Sequence, residues 1–416
     1  MRLSILVIFL FTGSQLISQD NTFIYDDYVY VDYIKTVTLR HRGLVTSLPV
    51  IDINSRFQGQ LSLGFDDMEG GYKNYLYRII HCDKDWFPSD LNEIEYMEGF
   101  NYEEIDDFVY STNSYSEYTH YDLYLPNDDL KWIISGNYLL VIYDEETEQA
   151  VITRRFMVAE DLATIGYNVV KPRNVRKLNT HQELELTINH TKLHVSRPTT
   201  ELYTTVVQNG NWNSALRNLQ GNYTVGDIVY LQNYDYIVFP ALKEFRNFDI
   251  RSLKYTTEFV HSIDQDDVET TALLDLGKKR YTRNFASEQD ANGFFVIDNF
   301  DYGDPKSSAE YVKVIYTLQS ETKYDQEVYI VGAFSDWQAK DEFRMEYDEV
   351  RRLYVGSAYF KQGRYDYMFA LLQDNGFLDI DILEGSWYET ENDYLVLVYY
   401  REFGSLYDRI IGVTNF

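Results

Sequence analysis

The sequence predicts an all-β protein made of consecutive β-sandwiches, and three observations carry that expectation. Aromatic residues are abundant, with 39 Tyr and 24 Phe among 416 residues, and such side chains fit the pleated, half-buried surface of a strand. Short runs alternating apolar and polar positions recur along the whole chain. Long stripes of helical period are almost absent, and glycine- or asparagine-rich turn signals separate several of the runs.

In chain order the clearest strand candidates are Tyr121 to Leu125, Tyr138 to Tyr143, Ile152 to Val158, Glu183 to Ile188, Glu201 to Val207, Tyr311 to Leu318, Val328 to Val331 and Tyr394 to Tyr400. Turns are expected at Glu69-Gly70-Gly71, at Pro126 to Asp129 and at Asp374-Asn375-Gly376. Gly70 and Gly71 suit a turn because glycine accepts positive φ without steric cost. Residues 1–19 read as a secretory signal peptide: one basic residue, Arg2, an apolar core from Ile5 to Phe11, then a polar stretch. That core is far shorter than the roughly 20 residues needed to cross a bilayer. Three sandwiches follow, at 20–160, 161–305 and 306–416. Glu160 to Gly166 reads as the first linker and Asn299 to Ser308, with its Gly, Pro and Ser, as the second. Units of this size suit immunoglobulin-like folds of about 100 residues.

The formal net charge of −29 repels nucleic acid and anionic lipid headgroups. The protein has one cysteine, Cys82, so stability in an oxidising compartment must come from packing rather than from an intramolecular disulfide.

Catalytic patterns were sought through the residue types they need. The chain contains no G-x-G-x-x-G, P-loop, H-E-x-x-H, C-x-x-C or G-x-S-x-G pattern. His81 and Cys82 are neighbours, but adjacent strand residues point to opposite faces, so they cannot form a dyad. Cys82 reads as a small core residue. His190 and His194 lie about 13 Å apart on a strand and do not make a metal pair. Asp264 to Glu269 lacks the glycine and distal glutamate of a calcium loop and reads as a solvated turn.

The most distinctive words lie between Leu61 and Asp144. They are F-D-D-x-E-G-G-Y-K-N-Y from Phe65 to Tyr75, R-I-I-H-C-D-x-D-W from Arg78 to Trp86, Pro88 to Leu91, Gly99-Phe100-Asn101, Tyr118 to Tyr121, Leu125-Pro126-Asn127 and Ser135 to Leu139. In this order they resemble the first domain of the plug proteins of the type IX secretion system. The resemblance implies a periplasmic protein, peripheral to the outer membrane, that binds and occludes the periplasmic opening of the giant β-barrel translocon. It implies no catalysis, no cofactor and no metal. The partner it implies is the barrel itself, with other translocon subunits possible and no direct membrane insertion.

Loops on a sandwich are where binding groups usually sit, so Asp66, Asp67, Glu69, Trp86 and Phe87 are the candidate translocon contacts. Against that stands the reading in which these words fix turns and Trp86 packs beneath its loop. The last unit also resembles early-set sandwiches that include glycogen- and starch-binding modules, through Val328 to Trp337, Gly363 to Phe369 and Glu384 to Tyr394. Under an alternative function as a periplasmic carbohydrate-binding protein, Trp337 and Trp387 would stack on sugar rings. A tryptophan in a G-x-F-x-x-W turn is as often packed on its own sandwich.

Overall fold

A computed structural model describes residues 23–55, 59–281 and 287–416; the expected signal peptide lies outside the described residues. The fold is an all-β sandwich fold, and the helices among the described residues are single turns. The strands fall where alternation placed them: Gly136–Asp144, His181–Asn189, Leu202–Gln208, Tyr311–Gln319, Val328–Val331 and Tyr394–Tyr400.

The first core lies between two sheets. One is four-stranded, in the order Ile34–His41, Leu61–Asp67, Thr119–Leu125, Asp107–Tyr110. The facing sheet contributes Tyr75–Cys82, Gly136–Asp144 and Gln149–Ala159. Alternate residues do the packing: Leu61, Leu63 and Phe65 from one strand meet Tyr75, Tyr77 and Ile79 from another. Phe65, Tyr75 and Tyr121 close this core with three ring contacts of 4.9 to 5.2 Å, a geometry that adds roughly 0.5–1.5 kcal/mol per pair beyond area burial. His81 and Cys82 point to opposite faces, as expected. His81 meets the Tyr138 ring at 5.0 Å, whereas Cys82 joins a separate apolar cluster in which burial pushes its thiol pKa up.

The chain order does not follow the expected boundaries of the second and third units. Tyr394–Tyr400 and Arg409–Asn415, at the C-terminus, run back to the middle unit, where Tyr394–Tyr400 pairs with Leu202–Gln208. Ala159 pairs in parallel with Ile410, which makes one ten-stranded sheet of the first and middle units. Conversely, Arg246–Asp249 and Phe295–Ile297 pair with Gly363–Leu372 and belong with the last core. That core sits within a second ten-stranded sheet whose non-adjacent strands meet across it, Phe248 against Phe360 at 5.2 Å. The middle core is built from His181–Asn189 and its neighbours packed on the returning C-terminal strands. Non-local pairing of this kind leaves no mark on local alternation, and so the boundaries at 160/161 and 305/306 mis-assign these strands.

Neither expected linker is a free tether. Leu162 and Ala163 donate backbone N–H bonds to the Ile411 carbonyl at 2.9 and 2.7 Å, and Glu160 pairs with Arg409 at 2.6 Å. In the second, Asp304 caps the turn Pro305–Ser308 by accepting from the Lys306 N–H, Asn299 and Ser308 are buried, and the Thr112 N–H donates to the Ser307 carbonyl at 2.7 Å. Its Gly, Pro and Ser residues serve turns and caps.

Candidate functional site

The F-D-D word occupies the Leu61–Asp67 strand, and period-two alternation divides its two acids. Phe65 and Asp67 face the first core; Gly64 and Asp66 face outward, beside His120 and Asp122 of Thr119–Leu125. That outer face reads as a solvated surface, yet the last unit covers it.

Asp66 and His120 are cross-strand partners, and Tyr311 and Lys361 of the last unit are cross-strand partners in their own sheet. The two pairs meet. The Asp66 carboxylate accepts from His120 Nδ1 at 2.6 Å, Tyr311 OH at 2.6 Å and Lys361 Nζ at 2.8 Å. Lys361 Nζ also donates to the Lys306 carbonyl at 3.1 Å and lies 4.1 Å from the Tyr118 ring centre. Asp122 completes the group, 2.7 Å from Lys306 Nζ and 3.5 Å from His120 Nε2. Gly64 makes room for the imidazole, since a Cβ there would stand 3.3 Å from His120 Cε1.

Asp66 is 0% and Lys361 1% exposed on their side chains. Burial opposes ionisation of Asp66, but Lys361 and His120 outweigh it and hold the carboxyl below its ordinary range. Burial also works against a charged His120, and Asp66 and Asp122 overcome it, so the imidazole pKa is raised. For Lys361 burial dominates and lowers the pKa in spite of Asp66. Buried charges persist in proteins when paired and hydrogen-bonded in this way.

Asp67, also at 0% exposure, fixes the neighbouring turn. It accepts from Tyr75 OH at 2.8 Å and from the Glu69 N–H at 2.9 Å, and pairs with Lys73 at 2.9 Å. Gly70 and Gly71 follow with φ of +69° and +70°. Only Glu69 of the three acids faces solvent, and it pairs with Lys73.

The D-K-D-W-F-P word divides similarly. Asp83 accepts from the backbone N–H groups of Asp85 and Phe87, both at 2.9 Å, which closes the loop and holds Trp86 at φ 71°. The indole turns inward to 3% exposure, edge-on to Trp212 at 5.4 Å, with the Arg155 guanidinium 5.0 to 5.4 Å from both rings. Phe87 stays 67% exposed. The adjoining turn at residues 401–408 is tied to this loop by the Lys84 N–H, which donates to Asp408 at 3.0 Å, and presents Phe403 and Leu406 to solvent.

Of the five candidate contacts, then, Glu69 and Phe87 are accessible, whereas Asp66, Asp67 and Trp86 are interior. Trp337 is corrected too: it is 7% exposed, edge-on to Phe245 at 5.8 Å, and its ring fills the space beside Gly293, where a Cβ would lie 2.6 Å from it. It is no stacking platform. Trp387 is half-buried, its N–H donating to the Leu242 carbonyl at 2.8 Å. Sequence reasoning missed His120, Asp122, Tyr311 and Lys361. The signal available was that Asp66 stands on one strand and His120 and Asp122 at alternate positions of the next, which puts all three on one face.

A cleft of about 650 Å³ opens beside the Asp66 group, lined by Lys35, Arg154, Phe334, Asp336 and Glu342 among others. Several of its charges pair with one another, Lys35 with Glu342 at 2.6 Å and Arg154 with Asp336 at 3.4 Å. Among the described residues no group of three or more His, Cys, Asp or Glu is arranged to hold a metal ion.

Fold and site together define an all-β sandwich protein whose most distinctive residues tie its parts together. Residues 34–160 match the family model described as the type 9 secretion system plug protein first domain. Residues 34–160 are thus a first domain of the type IX secretion system plug protein family. The crystal structure of a hypothetical protein from Parabacteroides merdae superposes with a TM-score of 0.90 at 30% identity, over 95% of this chain and 100% of that one. The dimeric latent PorU from Porphyromonas gingivalis aligns with a TM-score of 0.12 at 11% identity, over 92% of this chain and 34% of that one, and carries no argument. No curated protein matches the chain.

Proposed function

We propose that the protein is the periplasmic plug of the type IX secretion system, binding the periplasmic mouth of the giant outer-membrane barrel and occluding it while the channel holds no cargo. The observation that supports this reading is the plug-family first domain over residues 34–160. The mechanism is steric: a body stiffened by buried ties fills a wide aqueous opening, and a reversible binding equilibrium with the barrel sets how long it stays. The proposal includes no enzymatic step and no cofactor.

Phe87, with Phe403 and Leu406 on the adjoining turn, forms an exposed apolar group at the D-K-D-W-F-P loop. Large apolar side chains of this kind supply the anchors of interfaces, and Glu69 adds charge at a separate turn of the same unit. The carbohydrate-binding alternative loses its main support with the burial of Trp337.

Deletion of the gene tests the reading. The expected result is a viable cell whose outer membrane admits bulky dyes or antibiotics through the unplugged translocon. Unchanged uptake, with the translocon present in the membrane, would overturn it.

A further inference from the structure

Strands at the ends of sheets offer unpaired backbone donors and acceptors, and natural proteins blunt them with charges, bulges or short length. Nearly every sheet end here follows that rule. Ile34–His41 carries Lys35 and Arg40 and shifts register between Lys35 and Thr38. Asn211–Leu219 carries Arg217 and shifts register twice. Val260–Gln265 carries Asp264 and shifts once. Arg246–Asp249 has a charge at each end, Asp107–Tyr110 begins with one, Tyr223–Val225 has three residues and Glu103–Glu104 two.

Thr164–Val170 is the exception. Its sequence, TIGYNVV, holds no charge and no proline. It pairs with His181–Asn189 through seven consecutive positions without a shift, and among the described residues no strand pairs with its other edge. Residues 166–169 are exposed in succession, Val169 to 38% and Tyr167 to 46% although its ring stacks on Phe416 of the C-terminus at 3.5 Å.

The next seven residues, Lys171 to Lys177, hold four cations and no acid in a chain of net charge −29. Arg173 and Lys177 are answered by Glu185 and Asp235 at 2.6 and 2.9 Å. Lys171 lies over the Tyr388 ring at 4.9 Å, Arg176 is exposed, and neither pairs with a carboxylate among the described residues. The open edge is thus electrically neutral along its length and positive at its C-terminal end.

We infer that the Thr164–Val170 edge is an interaction surface that receives an extended segment of a partner polypeptide as an added antiparallel strand, with acidic residues at the N-terminal end of that segment facing Lys171 and Arg176. Backbone hydrogen bonds supply the affinity and alternate side chains the specificity in such strand addition. Seven residues give a ladder of about 23 Å at the usual rise per residue. A second copy of this chain is disfavoured as the occupant by repulsion between two bodies of net charge −29. The inference does not depend on which protein the plug occludes.

The test uses the full chain and two fluorescent peptides, each seven alternating valines and threonines, preceded by three aspartates in one and by three lysines in the other. Fluorescence anisotropy is expected to give saturable binding of the acidic peptide, at least tenfold tighter than the basic one, with hydrogen-exchange protection centred on residues 164–170. Val169→Asp, checked by thermal melt, should abolish binding. Lys171→Glu with Arg176→Glu, both on an exposed loop, should reverse the peptide preference. The inference is overturned if neither peptide binds, if both bind equally, or if binding survives Val169→Asp. It is also overturned if the chain alone dimerises through this edge and Val169→Asp makes it monomeric, since the occupant would then be a second copy.

Discussion

The first unit meets its two neighbours in opposite ways. Toward the middle unit the contact has an apolar centre continuous with a sheet: Ile80, Cys82, Leu139, Val141 and Met157 share one cluster with Val207, Leu395, Leu397 and Ile410, Ala159 pairs with Ile410, and the Glu160–Arg409 pair lies at the rim. Toward the last unit it is ionic, with Asp66, His120 and Asp122 on one side and Tyr311, Lys361 and Lys306 on the other. Apolar burial is non-directional and indifferent to pH. A buried ion pair is directional, titratable and costly to leave half-made. One junction therefore sets how strongly the units adhere, while the other sets their relative register.

The largest expected effect is at the ionic junction. Asp66→Asn leaves Lys361, 1% exposed, buried without its carboxylate, and breaking such a pair typically costs about 3–5 kcal/mol. Denaturant unfolding should show a loss in that range; a change under 1 kcal/mol would mean that Lys361 finds water or another acceptor. At the apolar junction, Leu397→Ala removes a fully buried side chain and should cost about 2–5 kcal/mol, with the same loss at every pH. A marked pH dependence of that difference would blur the contrast between the junctions.

His120 sharpens the contrast. Its folded pKa lies above the ordinary 6.5, so its contribution is fully present below that value and is lost as pH rises through the folded pKa. Asp66 and Asp122 have pKa values below the ordinary 3.8, so their contribution holds above it and is lost as pH falls through their folded values. Around the imidazole stand Asp66 and Asp122 from its own sheet and Lys361, Tyr311 and Lys306 from the last unit. Comparing wild type with His120→Gln, the stability difference should be greatest between the two ranges and shrink on the alkaline side. A difference that grows with pH would reverse the assignment of charge. The smallest effect is expected for Phe87→Ala: an exposed position touching no network should change stability by no more than about 0.5 kcal/mol while weakening capture of the translocon. Normal capture would move the docking surface elsewhere.

Much of this was legible in the sequence. Val328–Val331 and Tyr394–Tyr400 have the strand limits expected from sequence, because a short run of β-branched and aromatic residues is a local signal. The sequence itself offers a glycine turn after Asp67 and a Trp86 packed beneath its loop, since both follow from the chemistry of short loops. The partner of Asp66 was not legible. Lys361 lies 295 residues away, and an outward row of Gly64, Asp66, His120 and Asp122 has the polarity of a solvated face whether or not another unit covers it. For the same reason the return of the C-terminal strands to the middle unit left no trace, since Leu395 and Val396 are both buried, one in each of two clusters, and an apolar run reads the same beside any neighbour.

That Asp66 is an internal tie is tested most directly by a double-mutant cycle on unfolding, with Asp66→Asn, Lys361→Met and both together. If the two side chains act as one buried pair, the double variant should be more stable than the sum of the single losses by about 2 kcal/mol or more, because removing both charges leaves neither unpaired. Losses that add to within about 0.5 kcal/mol would mean that the pair is not coupled, and Asp66 would return to the candidates for docking.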